Sequence, residues 1–174
     1  NEHRPLSDEA RIRLRYVDMM IRKEPRDLVR IKAAVLKSLR NTLDDQGYLE
    51  VETPILQLTN GGAAARPFKT HLNALDQPML LRIALELDLK RAMIGGVDKV
   101  YEIGRTFRNE GLDSTHAAEF SMLEAYQAYG DQFTMMQLTR DLVVNAARAV
   151  GRTVVPARDG TEIDLEAPWR QAAI

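Results

Sequence analysis

The sequence predicts an α+β fold. Stretches with apolar residues three and four positions apart read as helices, and they alternate with short extended runs closed by Gly or Pro. The longest extended region, Lys99 to Asp131, reads as a strand, a polar glycine-containing loop and a longer strand coming back. With 174 residues, 45% of them hydrophobic, the chain suits one ordinary globular domain with a real core.

Residues 1–6 read as the tail of a linker from something upstream. Ser7 is a suitable N-cap, Asp8 and Glu9 occupy the first turn, and the helix that follows is expected to run until Pro25 stops it. Ile12, Tyr16, Met19 and Met20 form its apolar stripe, and Arg11, Arg13 and Arg15 read as a solvated face sooner than as an RNA contact. Arg26 to Gln46 carries the strongest helical pattern, with Leu28, Ile31, Val35, Leu39 and Leu43 as a buried stripe and Gly47 in the position of a C′ glycine. Tyr48 to Glu52 then alternates as a strand, Leu49 and Val51 on one face, until Pro54 breaks it.

Gly61 to Arg66, GGAAAR, is a small-residue loop with a cation at its end. Glycines let backbone N–H groups approach a ligand, but the lysine and spacing of a P-loop are missing, and by composition a flexible turn is the simpler reading. His71 has no partner at metal-ligand spacing. Met79 to Ile83 reads as a short buried strand, and Leu85 to Ile94 as a helix ended by Gly95 and Gly96. Glu86 stands apart from that helix's polar face because it lies at the strand-to-helix junction. After the central region, Phe133 to Val150 is a helix with Met135, Leu138, Leu142, Ala146 and Val150 as its stripe, closed by Gly151. Val154–Val155 and Ile163–Leu165 flank an Asp159-Gly160 turn as a short hairpin.

In an extended chain, alternate residues share a face. Arg108 and Glu110 share parity on the outgoing side of the central region, as do Phe120, Glu124 and Tyr126 on the returning side. If these strands pair, one face carries a guanidinium, two carboxylates, an aromatic ring and a phenol. That set can hold an anion, a planar ring and a cationic amine together, as joining a phosphate-bearing nucleotide to a basic molecule requires.

Composition excludes several alternatives. The net charge is −1, so no overall basic field points to nucleic acid. No cysteine is present, which removes disulfides and thiolate-built zinc sites. The apolar runs are too short to span a bilayer and no signal-peptide pattern opens the chain, so a cytoplasmic location is expected. Only 6% of residues are aromatic, few for a single-strand stacking platform.

Longer motifs are more specific. FRNEG, Phe107 to Gly111, resembles the start of motif 2 of the class II aminoacyl-tRNA synthetases, and GYLEVETP, Gly47 to Pro54, the strand half of motif 1. GGAAARPFKTHLNALD (Gly61–Asp76), LRIALELDLKR (Leu81–Arg91) and HAAEFSMLEAY (His116–Tyr126) are similar, in order and spacing, to the lysyl-tRNA synthetase subgroup. RIRLRYVDMMI resembles the segment that links that subgroup's anticodon-binding and catalytic domains.

The resemblance implies an antiparallel sheet flanked by helices, the partial catalytic-domain fold of that class. Residues 1–25 would be linker and leading helix and 26–174 the partial catalytic domain, with motif 1 at about 26–55, motif 2 at about 100–129 and a homodimer through motif 1. It implies that Arg108 holds the α-phosphate of ATP and is the catalytic residue, that Glu110 meets the adenine amino group, that His116 lies by the triphosphate and that Phe120 stacks on adenine. Gly62 and Ala63 would close over lysine, and Glu86, Glu124 and Tyr126 would receive its amino groups. The implied reaction forms lysyl-adenylate and pyrophosphate from L-lysine and ATP with Mg²⁺, then transfers lysine to tRNA(Lys). No metal ligand is expected within this segment. A non-catalytic paralogue, or a lysine-activating domain serving a lipid or protein acceptor, is the alternative.

The sequence also departs from the family. Leu85 stands where proline is usual, and Asp88 where an aromatic is usual, a costly exchange if that position is buried. Leu72 and Leu80 replace commoner polar or aromatic residues. Nothing up to Trp169–Ile174 resembles motif 3, and no OB-fold domain precedes, so the N-terminal half of a catalytic domain is expected.

Overall fold

A computed structural model describes residues 6–113 and 115–171. The linker expected at residues 1–6 therefore falls outside the described residues except for Leu6, as do residues 172–174 at the far end. The chain divides into two compact units, one formed by residues up to 42 and from 136 onward, the other by residues 43–135.

In the first unit, Ser7 caps helix α1 (Asp8–Arg13), its hydroxyl accepting from the Ala10 amide at 3.2 Å. The single helix expected up to Pro25 is two, because Leu14 (φ −109, ψ 48) breaks it before α2 (Arg15–Ile21). Pro25 stops neither. It lies in the first turn of α3 (Glu24–Asp45), where a missing N–H breaks no helical hydrogen bond. The expected stripe is also displaced: Ile12 and Met20 are 77% and 75% exposed, while the fully buried residue of this segment is Asp18. The Arg22 guanidinium grips Asp18 at 2.6 and 3.1 Å and Arg15 adds a bond at 3.2 Å, which satisfies the carboxylate and holds its pKa below the usual range against the cost of burial. Arg11 and Arg13 pair with Asp8 and Glu9, as a solvated face does.

Along α3 the stripe is buried unevenly: Leu28 is exposed, Ile31, Val35 and Leu39 are half-buried, and Leu43 is fully buried. Helix α5 (Gln132–Ala149) buries Leu138, Val144 and Ala147, so its inner face is centred away from the expected Met135, Leu142, Ala146 and Val150, which are half-buried. Asn145 on α5 donates to Thr42 on α3 at 3.1 Å. Strands β7 (Val154–Pro156) and β8 (Glu162–Asp164) form the expected hairpin, with Asp159 accepting from the Thr161 amide and hydroxyl across its turn.

The second unit contains two three-stranded sheets. One has the order β1-β5-β6, from β1 (Leu49–Glu50), β5 (Lys99–Phe107) and β6 (Glu119–Gln127). The other has the order β2-β4-β3, from β2 (Leu56–Gln57), β3 (Lys69–Leu72) and β4 (Gln77–Leu81), with a 3₁₀ turn at Asn73–Leu75. All strand pairs are antiparallel except β1 with β5, which run parallel with Leu49 opposite Val100 and Glu50 opposite Tyr101. Gly47 ends α3 as expected, with the Tyr48 amide reaching back to the Leu43 carbonyl at 3.0 Å. Helix α4 (Glu86–Ile94) lays Leu89 beside Leu85 and Val100, all at most 1% exposed, with Met122 and Tyr126 packed against them. Burying that apolar cluster holds α4, which begins at Glu86, against β5 and β6. Among the described residues no helix is long and apolar enough to cross a membrane.

Candidate functional site

The pairing of β5 with β6 puts the central residues where parity requires. Thr106 lies opposite Phe120, Glu102 opposite Glu124 and Val100 opposite Tyr126, so Phe120, Glu124 and Tyr126 share one face. Arg108 lies one residue past β5, and its amide still donates to Ala118 O at 2.9 Å, which keeps it in phase with that face. Glu110 has left the strand. Its amide donates to Arg108 O at 3.0 Å, and its carboxylate accepts from the Arg66 amide at 3.2 Å. Because Asn109 N also donates to Arg66 O at 2.8 Å, the end of the small-residue loop is stitched to the start of the central loop.

Arg108, Glu110, His116 and Phe120 line one cavity of about 330 Å³. The Arg108 guanidinium stands over the Phe120 ring, 5.3 Å from its centroid, and its Nε points to the Ile83 carbonyl at 3.4 Å. His116 is held by a neighbour that sequence reasoning missed. Asp113 Oδ2 lies 2.7 Å from His116 Nδ1, while Oδ1 accepts from the Thr115 amide, the Thr115 hydroxyl and the His116 amide at 2.7 to 2.8 Å. These bonds, the Thr115 amide foremost, bring the Asp113 carboxyl down to about 2. The signal in the sequence was an Asp three residues before a His within a short polar loop.

Glu86, Glu124, Tyr126 and Gly62 form a second grouping. Tyr126 donates to Glu124 Oε2 at 3.0 Å, and the Leu85 amide donates to Glu124 Oε1 at 3.0 Å. Burial first, then the bond to Glu124 and the charges of Glu124 and Glu86, push the Tyr126 phenol above its ordinary range. Glu86 accepts from Lys90 one turn along α4, and the Lys90 ammonium stands 5.9 Å from the Tyr126 ring centroid. Gly62 (φ +84) fits against Glu86 so closely that a Cβ there would lie 2.7 Å from Glu86 Cβ. Ala63, half-buried, follows it in the same loop.

A buried ion pair beside Glu124 was also missed, with Glu102 opposite Glu124 in the β5–β6 register. Arg82 and Glu102, each with a 4% exposed side chain, meet at 2.7 Å. Arg82 further donates to Arg105 O, Thr53 O and Thr53 Oγ1, and Glu102 accepts from the Thr53 amide and hydroxyl. The Phe107 amide donates to Arg82 O at 3.0 Å and the Arg82 amide to Ile55 O, so Arg82 ties the residue before Arg108 to the segment that leads into β2. Gly104 makes room, since a Cβ there would lie 2.3 Å from the Arg82 guanidinium. Glu102 shares the parity of Arg108, which was the available clue.

Asp88 is partly buried with both oxygens partnered. Its side chain is 20% exposed and accepts from Gln57 Nε2 at 2.8 Å and Arg91 at 2.7 Å. His71 pairs with Asp76 at 3.0 Å. Among the described residues no three His, Asp or Glu side chains gather to hold a metal ion. The site thus offers a cation and a ring beside a cavity, and a separate pair of carboxylates with a phenol.

A family model for class II tRNA synthetases (D, K and N) matches residues 7–173. The chain is 54% identical over 168 residues to a lysine–tRNA ligase of Kineococcus radiotolerans, covering 96% of this chain and 34% of that protein. It is 53% identical over 169 residues to a lysine–tRNA ligase of Mycolicibacterium gilvum, covering 97% of this chain and 34% of that protein. A lysine–tRNA ligase of a Thermoanaerobacter species is 52% identical over 163 residues, covering 94% and 33%. The chain spans about a third of the length of the curated relatives it matches.

Proposed function

The chain belongs to the class II tRNA synthetases (D, K and N), and from that premise we propose that it is the part of a cytoplasmic lysine–tRNA ligase that binds ATP and L-lysine for adenylate formation. The supporting observation is the division of the site into two groupings beside the β5–β6 pair: Arg108, Glu110, His116 and Phe120 around one cavity, and Glu86, Glu124 and Tyr126 together, with Glu124 opposite Glu102. In this reading the domain runs from about residue 26, behind a linker and leading helix, and pairs as a homodimer through residues 26–55.

Phe120 stacks on adenine and the Glu110 carboxylate accepts from its amino group. Arg108 meets the α-phosphate with a two-pronged guanidinium, which lysine could not supply. Glu86 and Glu124 take the ammonium groups of lysine, and Gly62 and Ala63 close over it. A lysine carboxylate oxygen attacks the α-phosphorus, the bond to the bridging β-phosphate oxygen breaks, and lysyl-adenylate and pyrophosphate form. Arg108 offsets the charge that develops on the α-phosphate oxygens, so this chain's contribution is positioning and electrostatic stabilisation. Transfer to tRNA(Lys) follows in the complete ligase.

Lysine-dependent exchange of pyrophosphate into ATP, measured on this chain and on a longer protein that carries it, tests the reading. Exchange that falls on the order of a hundredfold or more with Arg108→Ala supports it. No exchange from either protein, with ATP binding unchanged by Arg108→Ala, overturns it.

A further inference from the structure

The contact between Asp113 and His116 has a definite polarity. Asp113 Oδ1 accepts from the Thr115 amide, the Thr115 hydroxyl and the His116 amide, which leaves Oδ2 to meet the His116 ring at Nδ1, 2.7 Å away. With its carboxyl brought down to about 2, Asp113 is an ionised acceptor with no proton to give. The hydrogen in that contact therefore belongs to Nδ1, and in the neutral ring Nε2 is bare. Thr115 Oγ1, 3.1 Å from Nδ1, donates its own proton to Asp113 and so also meets the ring as an acceptor. His116 lines the cavity of about 330 Å³ together with Arg108, Glu110 and Phe120. A bare Nε2 repels a phosphate oxygen, whereas an imidazolium donates to phosphate from Nε2 and to Asp113 from Nδ1. Both side chains are exposed, so solvent can deliver the proton.

We propose that Asp113 is a positioning residue for the phosphate end of the site: it holds His116 with its proton on Nδ1 and balances the imidazolium formed when Nε2 takes a second proton to meet a phosphate oxygen. Polyphosphate binding is then coupled to uptake of a proton from solvent. The inference rests on the reading of His116 as a neighbour of the triphosphate. Arg108 and Glu110 are the other charged groups lining that cavity, and neither a guanidinium nor an ordinary carboxylate changes charge near pH values of about 8.

Asp113→Asn reverses the polarity at little cost in shape. The Thr115 and His116 amides keep the Asn oxygen, its NH₂ turns to Nδ1, and the ring must carry its proton on Nε2. Such a ring meets phosphate without taking up a proton, and without a charge.

The test is made at about pH 8, where an ordinary imidazole is mostly neutral, on this chain and on a longer protein that carries it. Ring ¹⁵N shifts of histidine-labelled protein read the tautomer, with His116 assigned by its loss in His116→Gln. Calorimetry of ATP binding in buffers of different ionisation enthalpy reads the proton uptake. The wild type should show Nδ1–H when free, both nitrogens protonated with ATP bound, and net proton uptake. Asp113→Asn should show Nε2–H, no uptake and about tenfold weaker ATP binding, and His116→Gln should also lose the uptake. A free wild-type ring with its proton on Nε2, or equal uptake in wild type and Asp113→Asn, overturns this proposal alone. No ATP binding by either protein, or ATP bound with the His116 signals unmoved, overturns the reading of His116 beside the triphosphate and this inference with it.

Discussion

Glu102 and Glu124 stand directly opposite each other across β5 and β6, on the same face of the sheet. Like charges in that relation repel and destabilise the pairing. Each is answered separately: Glu102 is buried against Arg82 and Thr53, while Glu124 accepts from Leu85 and Tyr126 and stays half-buried. One carboxylate has become structure, and the other is left with acceptor positions to spare.

Removing one partner of the buried pair leaves an uncompensated charge. Arg82→Met or Glu102→Leu alone should cost about 3 to 5 kcal/mol of unfolding free energy, whereas the double variant should cost clearly less than the sum. Urea titration of the four proteins measures this. Strict additivity would show that the two side chains do not depend on each other.

Gly62 and Gly160 have nearly the same φ, +84 and +85, but of the two only Gly62 has close neighbours, Glu86 Cβ at 2.7 Å and Ala84 Cβ at 3.0 Å from where a Cβ would sit. Gly160→Ala should therefore cost the backbone strain alone, about 1 kcal/mol. Gly62→Ala should cost about 1 to 3 kcal/mol more and weaken lysine binding, because Glu86 must be pushed aside. Equal losses of stability in the two variants would mean that the contact with Glu86 does not matter.

Asp113 sets a pH dependence whose sign is fixed. Its carboxyl is lowered from 3.8 to about 2 by the bonds it accepts from Thr115 and His116, so their stabilisation is complete above 3.8 and is lost as pH falls from there through about 2. The Thr115 and His116 amide proton shifts should titrate with a midpoint near 2 and become flat in Asp113→Asn. A midpoint at 3.8 would rule this out.

The parts of the molecule legible from sequence were those where a repeating pattern meets a repeating geometry. Strand parity placed Phe120, Glu124 and Tyr126 on one face, and helix spacing found α3, α4 and α5 within a residue or two of their bounds. What stayed hidden depended on contacts between distant segments. Nothing local marks Leu14 as a helix break, and Asp18 looks like a solvent residue until Arg15 and Arg22 close around it. Arg82 and Glu102 resemble ordinary charges at the edge of and within a strand until Thr53 and Gly104 give them a dry place to meet. The parallel sense of β1 likewise depends on the route of the intervening chain, not on any feature of Leu49 and Glu50.

That two-residue parallel strand bears on the order in which the molecule assembles. The β5–β6 hairpin closes a short loop, whereas pairing Leu49 with Val100 closes one of about fifty residues and carries a larger entropic cost. The hairpin should therefore form before β1 docks, and in that interval Glu102 would lack the Thr53 hydroxyl that arrives with the β1 segment. Glu102 and Glu124 then face each other across a nascent sheet with their repulsion only partly relieved. The slow step of folding should accordingly quicken with added salt, which screens that repulsion while leaving the finished, buried pair almost untouched.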